Sequence, residues 1–440
     1  MLGYIWTMNT VDEQAAPSIK TLLQLSLPAI LVGVVSALCL FLVDEAAHLL
    51  QELLWVHLPG QVGISPDSGW WIFGVLTLTG LAIGLVVTFV PGHGGRDSAT
   101  VDLIAPPLRL SAVPGLVLVT ILGLAGGVSL GPESAIIAIN TAILVALVNR
   151  FWPQIGIQLV VMVTAAGTIG ALFGTPVAAI LVLTGVVAAA KSGGALWDRL
   201  FLPLLSASTA SMTLLFLGGQ QLRSPAMPLL DEPLLGLLPA AAAIACLAAL
   251  VGLLGAVLFQ PFHATFRKLR WPLLYTTAGG MLLGLLGALG GPLTLFKGST
   301  QMVDLVNRAG EFTALQIATI ILVKLFALLI ASTAGFRGGR IFPAVFIGVA
   351  VGLLCHALFP QVPLGLAVAC GALGTVLAVS RDGWIAIFIA VVVAGDIKLL
   401  PLLCFAVLPV WLLVARAPEM LAHAAETNPA APGRKANKAA

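Results

Sequence analysis

Apolar runs follow one another along this chain, near residues 22–43, 70–90, 112–125, 134–148, 155–190, 200–218, 234–259, 272–290, 314–334, 341–359, 364–379, 384–394 and 397–415. Crossing a bilayer core of about 30 Å takes about 20 helical residues, and several of these runs are shorter than that. Glycine and proline, 47 and 27 residues in all, fall inside many of them. The pattern predicts an all-α polytopic membrane protein of roughly ten to thirteen membrane segments, several of them tilted or broken. Charge closes off the other classes. Only 9% of the residues are charged, against roughly 25% in a soluble domain.

A net charge of +3 with no stripe of Lys and Arg argues against nucleic acid as a partner. Cys39, Cys246, Cys355, Cys370 and Cys404 lie in or beside apolar runs, without CxxC or metal-ligand spacing, and read as packing residues. No metal or cofactor is expected. There is no HExxH and no GxSxG, and Gly395-Asp396 alone is too little for an intramembrane protease, so the chain does not read as an enzyme. The first twenty residues carry acid before any apolar run, unlike a cleaved signal peptide.

The chain compares with itself. Gly167-Thr168-Ile169-Gly170-Ala171-Leu172 matches Gly374-Thr375-Val376-Leu377-Ala378-Val379 at an offset of 207, which also carries Ala179-Ile180 onto Ala386-Ile387 and Gly131 onto Gly338. This divides the sequence into an N-terminal cytoplasmic segment (1–21), a first membrane repeat (22–217), a linker (218–233), a second repeat (234–415) and a disordered cytoplasmic tail (416–440). Lys and Arg concentrate in the tail (Arg416, Arg434, Lys435, Lys438) and near 263–271 (Arg267, Lys268, Arg270), which places both on the cytoplasmic side of the membrane.

Glycine-rich breaks interrupt the apolar runs. They are Pro91-Gly92-His93-Gly94-Gly95-Arg96-Asp97, Gly126-Gly127-Val128-Ser129-Leu130-Gly131-Pro132-Glu133, Gly335-Phe336-Arg337-Gly338-Gly339-Arg340-Ile341-Phe342-Pro343, and Gly170–Pro176 with its partner Ser380–Gly383. Each of the first three precedes a run expected to be helical. A helix N-terminus exposes unpaired N–H groups and partial positive charge, and glycine lets that backbone approach an ion. Pro132 and Pro343 suit a first helical turn. Several such termini meeting at membrane depth make an anion site without a full charge. Glycines that only allow close helix packing are the competing explanation, weakened by the matched spacing.

The order GxG, GxxxGP, GxxGGxxxP over residues 22–415 resembles the CLC family of chloride channels and proton-coupled chloride antiporters, and in particular a bacterial branch of ion-transport proteins. GFRGGRIFPAVFIG is the most specific stretch, and Lys324 sits where the family usually has a basic residue before that motif. The resemblance implies two inverted-topology repeats of tilted, broken helices and a homodimer with one anion path per subunit. It assigns the path to Gly92, His93 and Gly94, to Ser129, Leu130 and Gly131, and to Gly338, Gly339, Arg340 and Ile341. His93 stands where the family often has a serine that meets the central anion. Leu130 stands where it usually has a gating glutamate, with Glu133 three residues on as a possible gate or proton carrier, or as a cap of its own helix. Arg340 is unusual at its place and is expected to attract anions or pair with Glu133, and Arg337 to sit at a vestibule. The family's internal glutamate falls near Val186 in an acid-free run, and the only tyrosines, Tyr4 and Tyr275, do not match its central-site tyrosine.

Proton exchange needs a titratable carrier at both ends of its route. The expectation is therefore a passive, proton-uncoupled chloride channel. The alternative is a secondary transporter, proton-coupled through Glu133, His93 or the Asp44/Glu45 pair, or selective for fluoride, nitrate or a carboxylate. Asp44 and Glu45 otherwise read as an interfacial helix end, and Asp396 with Lys398 as a local pair at a helix break.

Overall fold

The computed structural model describes residues 18–189, 195–219, 224–230 and 234–422. The first repeat opens with α1 (Ile19–Glu52), which continues through a π-helical turn at 53–57 into the short α2 (Leu58–Val62). It goes on with α3 (Gly69–Phe89), α4 (Val113–Ala125), α5 (Glu133–Phe151), α6 (Ile157–Phe173), α7 (Pro176–Ala189) and α8 (Leu196–Phe216). The second repeat is α9 (Leu238–Arg267), α10 (Pro272–Gly290), α11 (Ser299–Asn307), α12 (Ala314–Thr333), α13 (Ile341–Leu358), α14 (Leu364–Ser380), α15 (Gly383–Ala394) and α16 (Leu400–Val414). Among the described residues nine helices are long and apolar enough to cross a membrane, and five shorter apolar helices accompany them. At 1.5 Å per residue, the 12 residues of α15 reach about 18 Å, well short of a bilayer core.

The two repeats touch in several places, and at the starts of α5 and α13 they meet through backbone. Gly131 and Gly339 exchange backbone hydrogen bonds as an antiparallel bridge, at 2.8 and 2.6 Å. That contact joins the starts of α5 and α13.

Lipid is as apolar as leucine, so helices in it are held by close packing and buried hydrogen bonds. Every residue from Ile341 to Leu353 in α13 is buried, as befits a helix apolar all round. Its neighbour α14 comes close because both are glycine-bearing: a Cβ at Gly348 would meet Ala372 Cα at 2.7 Å and one at Gly371 would meet Gly352 N at 2.8 Å. Gly80 of α3 and Gly280 of α10 face each other in the same way. Asn140 adds a polar link, donating to Ser36 O at 3.2 Å and Thr168 Oγ1 at 2.9 Å, which ties α5 to α1 and α6.

Three expectations change, for the long run at 155–190, the first break and the start of the tail. The run at 155–190 is two helices, because Gly174 turns left-handed (φ 71°) and Pro176 starts a new helix. The first break does not lead into an α-helix. Only two 3₁₀ turns, Ser98–Thr100 and Leu110–Ala112, interrupt the extended chain before α4. Pro106 and Pro107 donate no N–H and hold their predecessors extended. Described linker residues are stitched to the second repeat: Ser224 Oγ donates to Val393 O, and Leu230 N to Asp396 Oδ2, both at 2.9 Å. The ordered chain also runs past 416, with Met420 and Ala422 buried and Ala422 N donating to Ala99 O at 2.7 Å. Residues 423–440 of the tail lie outside the described residues.

Candidate anion path

The second and third breaks build the centre. Gly127 turns left-handed (φ 87°), and the chain then passes Ser129 and Leu130, both buried, to the Gly131 bridge. Pro132 caps α5, so Glu133 is its first residue. Its carboxylate does more than cap its own helix. Oε1 accepts the N–H of Phe342, in the first turn of α13, at 2.9 Å. A Cβ on Gly131 or on Gly339 would lie 2.6 Å from the Glu133 Cδ, so both glycines of the bridge make room for this carboxylate. Glu133 is fully buried, and its Oε2, like the Ser129 hydroxyl, has no hydrogen-bond partner among the described residues. One carboxylate thus lies between two helix N-termini, where partial positive charge and free N–H groups favour an anion.

Aromatic rings wall this junction. Phe342 stacks on Phe173 from the fourth break, with ring centroids 5.9 Å apart and planes 8° from parallel, and Phe388 of α15 meets Phe173 edge-on. Arg340 caps α13, but its side chain turns away from Glu133. Nη2 donates to Val101 O at 3.2 Å, the guanidinium lies 5.7 Å over Phe259, and Nη1 is buried without a partner among the described residues. Ile341 begins α13 and is buried. Gly338 has φ 154° and a Cβ there would strike Leu130 Cβ at 2.8 Å, so Leu130 packs against the glycine pair.

The first break is different in kind. Gly92, His93, Gly94 and Gly95 all take positive φ, at 83°, 52°, 63° and 75°. Four left-handed residues in succession suit glycine and strain histidine. The turn presents carbonyls, and Arg337 fills them. Its Nε donates to Gly94 O at 3.0 Å and its Nη2 to His93 O and Gly95 O at 3.3 Å each. The His93 ring folds back, its Nδ1 2.9 Å from Val87 O. Ser98 Oγ donates to Phe336 O at 2.6 Å and accepts from Gly338 N at 3.0 Å. Asp97 pairs with Arg267 and stands 3.7 Å from Arg337 Nη1 and 3.8 Å from His263 Nε2. Arg337 is therefore a buried clamp between the first and third breaks, not a vestibular charge.

Lys324 is fully buried and gives all three ammonium protons to backbone carbonyls, Thr294 and Leu295 at 3.0 Å and Phe296 at 2.7 Å. The loop it holds carries Lys297, whose Nζ stands 3.4 Å from Asp44 Oδ1 and 5.9 Å from the Phe342 ring centre. Asp44 thus has a partner in the second repeat. Lys297 had no motif to mark it in the sequence. Only its place between Phe and Gly ahead of a polar stretch sets it apart. Asp396 accepts the N–H of Lys398 at 2.9 Å. No group of three or more His, Cys, Asp or Glu that could hold a metal ion occurs among the described residues.

Two repeats of broken helices, with facing N-termini closed on a buried carboxylate, define a polytopic membrane protein for anion transport. Residues 79–412 match the family described as "Voltage gated chloride channel". The chain is 44% identical over 414 residues, 94% of its length and 98% of the relative's, to the "Putative ion-transport protein YfeO" of Escherichia coli O9:H4 (strain HS), and equally to that of Shigella boydii serotype 4 (strain Sb227). Among solved structures it is similar to a "slow cyanobacterial Cl-/H+ antiporter", with a TM-score of 0.74 at 17% identity over 89% of this chain and 95% of that one. It is also similar to a "CLC-type fluoride/proton antiporter", with a TM-score of 0.69 at 20% identity over 92% and 98%. The protein belongs to the CLC family.

Proposed function

We propose that the protein passes chloride through the junction of α5 and α13, that Glu133 gates the path, and that transport is passive and uncoupled from protons. The placement of the Glu133 carboxylate on the α13 N-terminus carries this reading. An anion of the protein's own already fills the place where a mobile one would bind. Two helix N-termini return about 0.3–2 kcal/mol each, while burying an isolated carboxylate costs several kcal/mol. The carboxylate is therefore held loosely enough to exchange with chloride.

Its uncoupled character is supported by what lies beyond the gate. Glu133 supplies one titratable group, but α6 and α7, the run that holds Val186, contain none. A proton leaving Glu133 along those helices has no second carrier. Proton coupling is the second reading. It is favoured by the full burial of Glu133 and by the two solved relatives, each described as a proton antiporter. Because N–H groups read charge more than identity, fluoride, nitrate or a small carboxylate are alternative substrates. Two subunits with one path each, in a bacterial inner membrane with both chain ends in the cytoplasm, complete the proposal.

The test is efflux from chloride-loaded proteoliposomes, with valinomycin balancing charge and external pH recorded. Chloride release without proton movement is the expected result. Proton uptake driven by the chloride gradient would replace the passive reading with antiport. Release of fluoride or nitrate in preparations that retain chloride would change the substrate.

A further inference from the structure

We propose that Lys297 stands at the mouth of the anion path: its ammonium, resting on Asp44, receives an incoming anion and passes it to the site that the Glu133 carboxylate fills. The inference rests on the anion-transport reading and adds a residue that no motif marks.

The loop is built to hold this lysine still. Phe296 (φ 58°) and Gly298 (φ 96°) are both left-handed and bracket it. A left-handed aromatic residue persists only where its surroundings impose it, and here they do. Phe296 N donates to Gly127 O in the second break at 3.0 Å, and its carbonyl accepts from the buried Lys324 at 2.7 Å. The Phe296 ring packs edge-on against Trp55, and Trp55 Nε1 donates to Ala125 O at 2.9 Å. Gly298 approaches Phe346 of α13 so closely that a Cβ there would sit 2.9 Å from the Phe346 Cβ. The loop is thus fastened to the second break and to α13, the helix that the third break opens.

Exposure gives the direction. The side chains of Lys297 and Asp44 keep 20% and 24% of their surface, while Glu133 keeps none. Charges at membrane depth face water-filled cavities rather than lipid, so the pair marks the wet end of a route whose dry end is Glu133. Arg340 caps α13, and Lys297 reaches the ring of Phe342, whose N–H holds the Glu133 carboxylate. Arg340 is committed to Val101 O and the Phe259 ring, whereas among the described residues Lys297 meets a 3.4 Å ion pair and a distant ring. A loosely paired, partly exposed ammonium can change partners. A mouth lined with one sign of charge raises the local concentration of its counter-ion, and Asp44 tempers that by competing with the anion for Lys297.

A pair that merely ties α1 to the loop would respond alike to loss of either member. A receiving ammonium with a competing counter-ion would not. Initial chloride flux is measured against chloride concentration for the full chain in proteoliposomes, at constant ionic strength maintained with gluconate. The variants are Lys297→Gln, Lys297→Arg and Asp44→Asn, each checked for monodispersity and thermal midpoint. Lys297→Gln is expected to raise the half-saturating chloride by about threefold or more, with a smaller change in maximal rate. Lys297→Arg is expected to restore it and Asp44→Asn to lower it. Equal directions for Lys297→Gln and Asp44→Asn, or no change in either, overturn the proposal. If Lys297→Gln fails to fold, a rise or no change in Asp44→Asn overturns it alone. A wild type that moves no anion from a panel of chloride, fluoride, nitrate and formate removes the transport reading and this role together. With a transporting wild type, failure of the variants to behave as expected removes the role of Lys297 alone.

Discussion

Glu133 serves two helices at once. As the first residue of α5 it offers its own helix a negative charge, and through Phe342 N it offers α13 the same. Replacing it by glutamine keeps an oxygen acceptor for that N–H but removes the charge with which the proposed gate excludes a second anion. Glu133→Gln is therefore expected to raise chloride flux about 5- to 30-fold, the equivalent of an occupant held by ~1–2 kcal/mol. Wild-type flux should rise as pH falls and the carboxylate takes a proton, and the variant should lose that dependence. Flux at several external pH values checks both, and a silent variant would count against the gate. Gly339 gives a second handle. Gly339→Ala drives a Cβ into the carboxylate and should cost about 1–3 kcal/mol of stability by overpacking. In a Glu133→Ala background the same substitution should cost less, and a double-mutant cycle by thermal unfolding measures the difference. Sequence alone places Glu133 three residues beyond the family's gating position and leaves it between cap and gate. The missing fact is long-range: the Gly131–Gly339 bridge brings the start of α13 to it across 209 positions. Lys297 is invisible for the same reason, since its meaning lies in Asp44, 253 positions away.

At the scale of elements, the glycines divide into two uses that look identical in sequence. In the breaks, Gly92, Gly94, Gly95, Gly127 and Gly335 take positive φ. Inside α3, α10, α13 and α14 they let backbones touch. Turn-forming and packing uses of glycine therefore both occur, at different positions, and only the backbone angles separate them. The repeat and the position of three breaks are legible because Gly-Pro punctuation survives in a single chain. Less legible is the first break, which reads as the start of a helix although Pro106 and Pro107 oppose it. Also hidden is the direction of its peptide groups, which aim carbonyls at a cation rather than N–H groups at an anion. Arg337 satisfies that cup, and its loss would leave carbonyls of Gly94, His93, Gly95 and Gly335 short of a donor. Arg337→Met is expected to cost about 3–5 kcal/mol, the range for breaking a buried charged pair. Arg340→Met, which gives up its bond to Val101 O, should cost clearly less. Urea unfolding in detergent, followed by tryptophan fluorescence, ranks the two, and the reverse order would show that the clamp is not what joins the breaks.

Across the whole molecule, the two repeats face each other through the Gly131–Gly339 bridge and through α3 against α10, and the C-terminal segment locks the arrangement from outside. Composition makes the tail from 416 look free, since nothing in it is strongly apolar except Met420 and Leu421. Those two residues decide its course. Met420 buries itself beside Gly255 and Leu325, Gln260 Nε2 donates to Leu421 O at 2.8 Å, and Arg381 donates to the carbonyls of Ala417 and Pro418. The last link reaches the third break. Ala422 N bonds to Ala99 O, and Ala99 follows Ser98, whose hydroxyl bridges Phe336 and Gly338. Burying one methionine is worth about 1.5–3 kcal/mol, and each hydrogen bond about 1 kcal/mol more. A variant ending at Val414 is therefore expected to unfold at a clearly lower temperature than one ending at Ala422, and to carry less chloride, because the support behind Ser98 is gone. Thermal midpoints and proteoliposome flux for the two lengths check this together. Equal midpoints would show that the segment contributes no stability. A lower midpoint with unchanged flux would show that it supports the fold without supporting the third break.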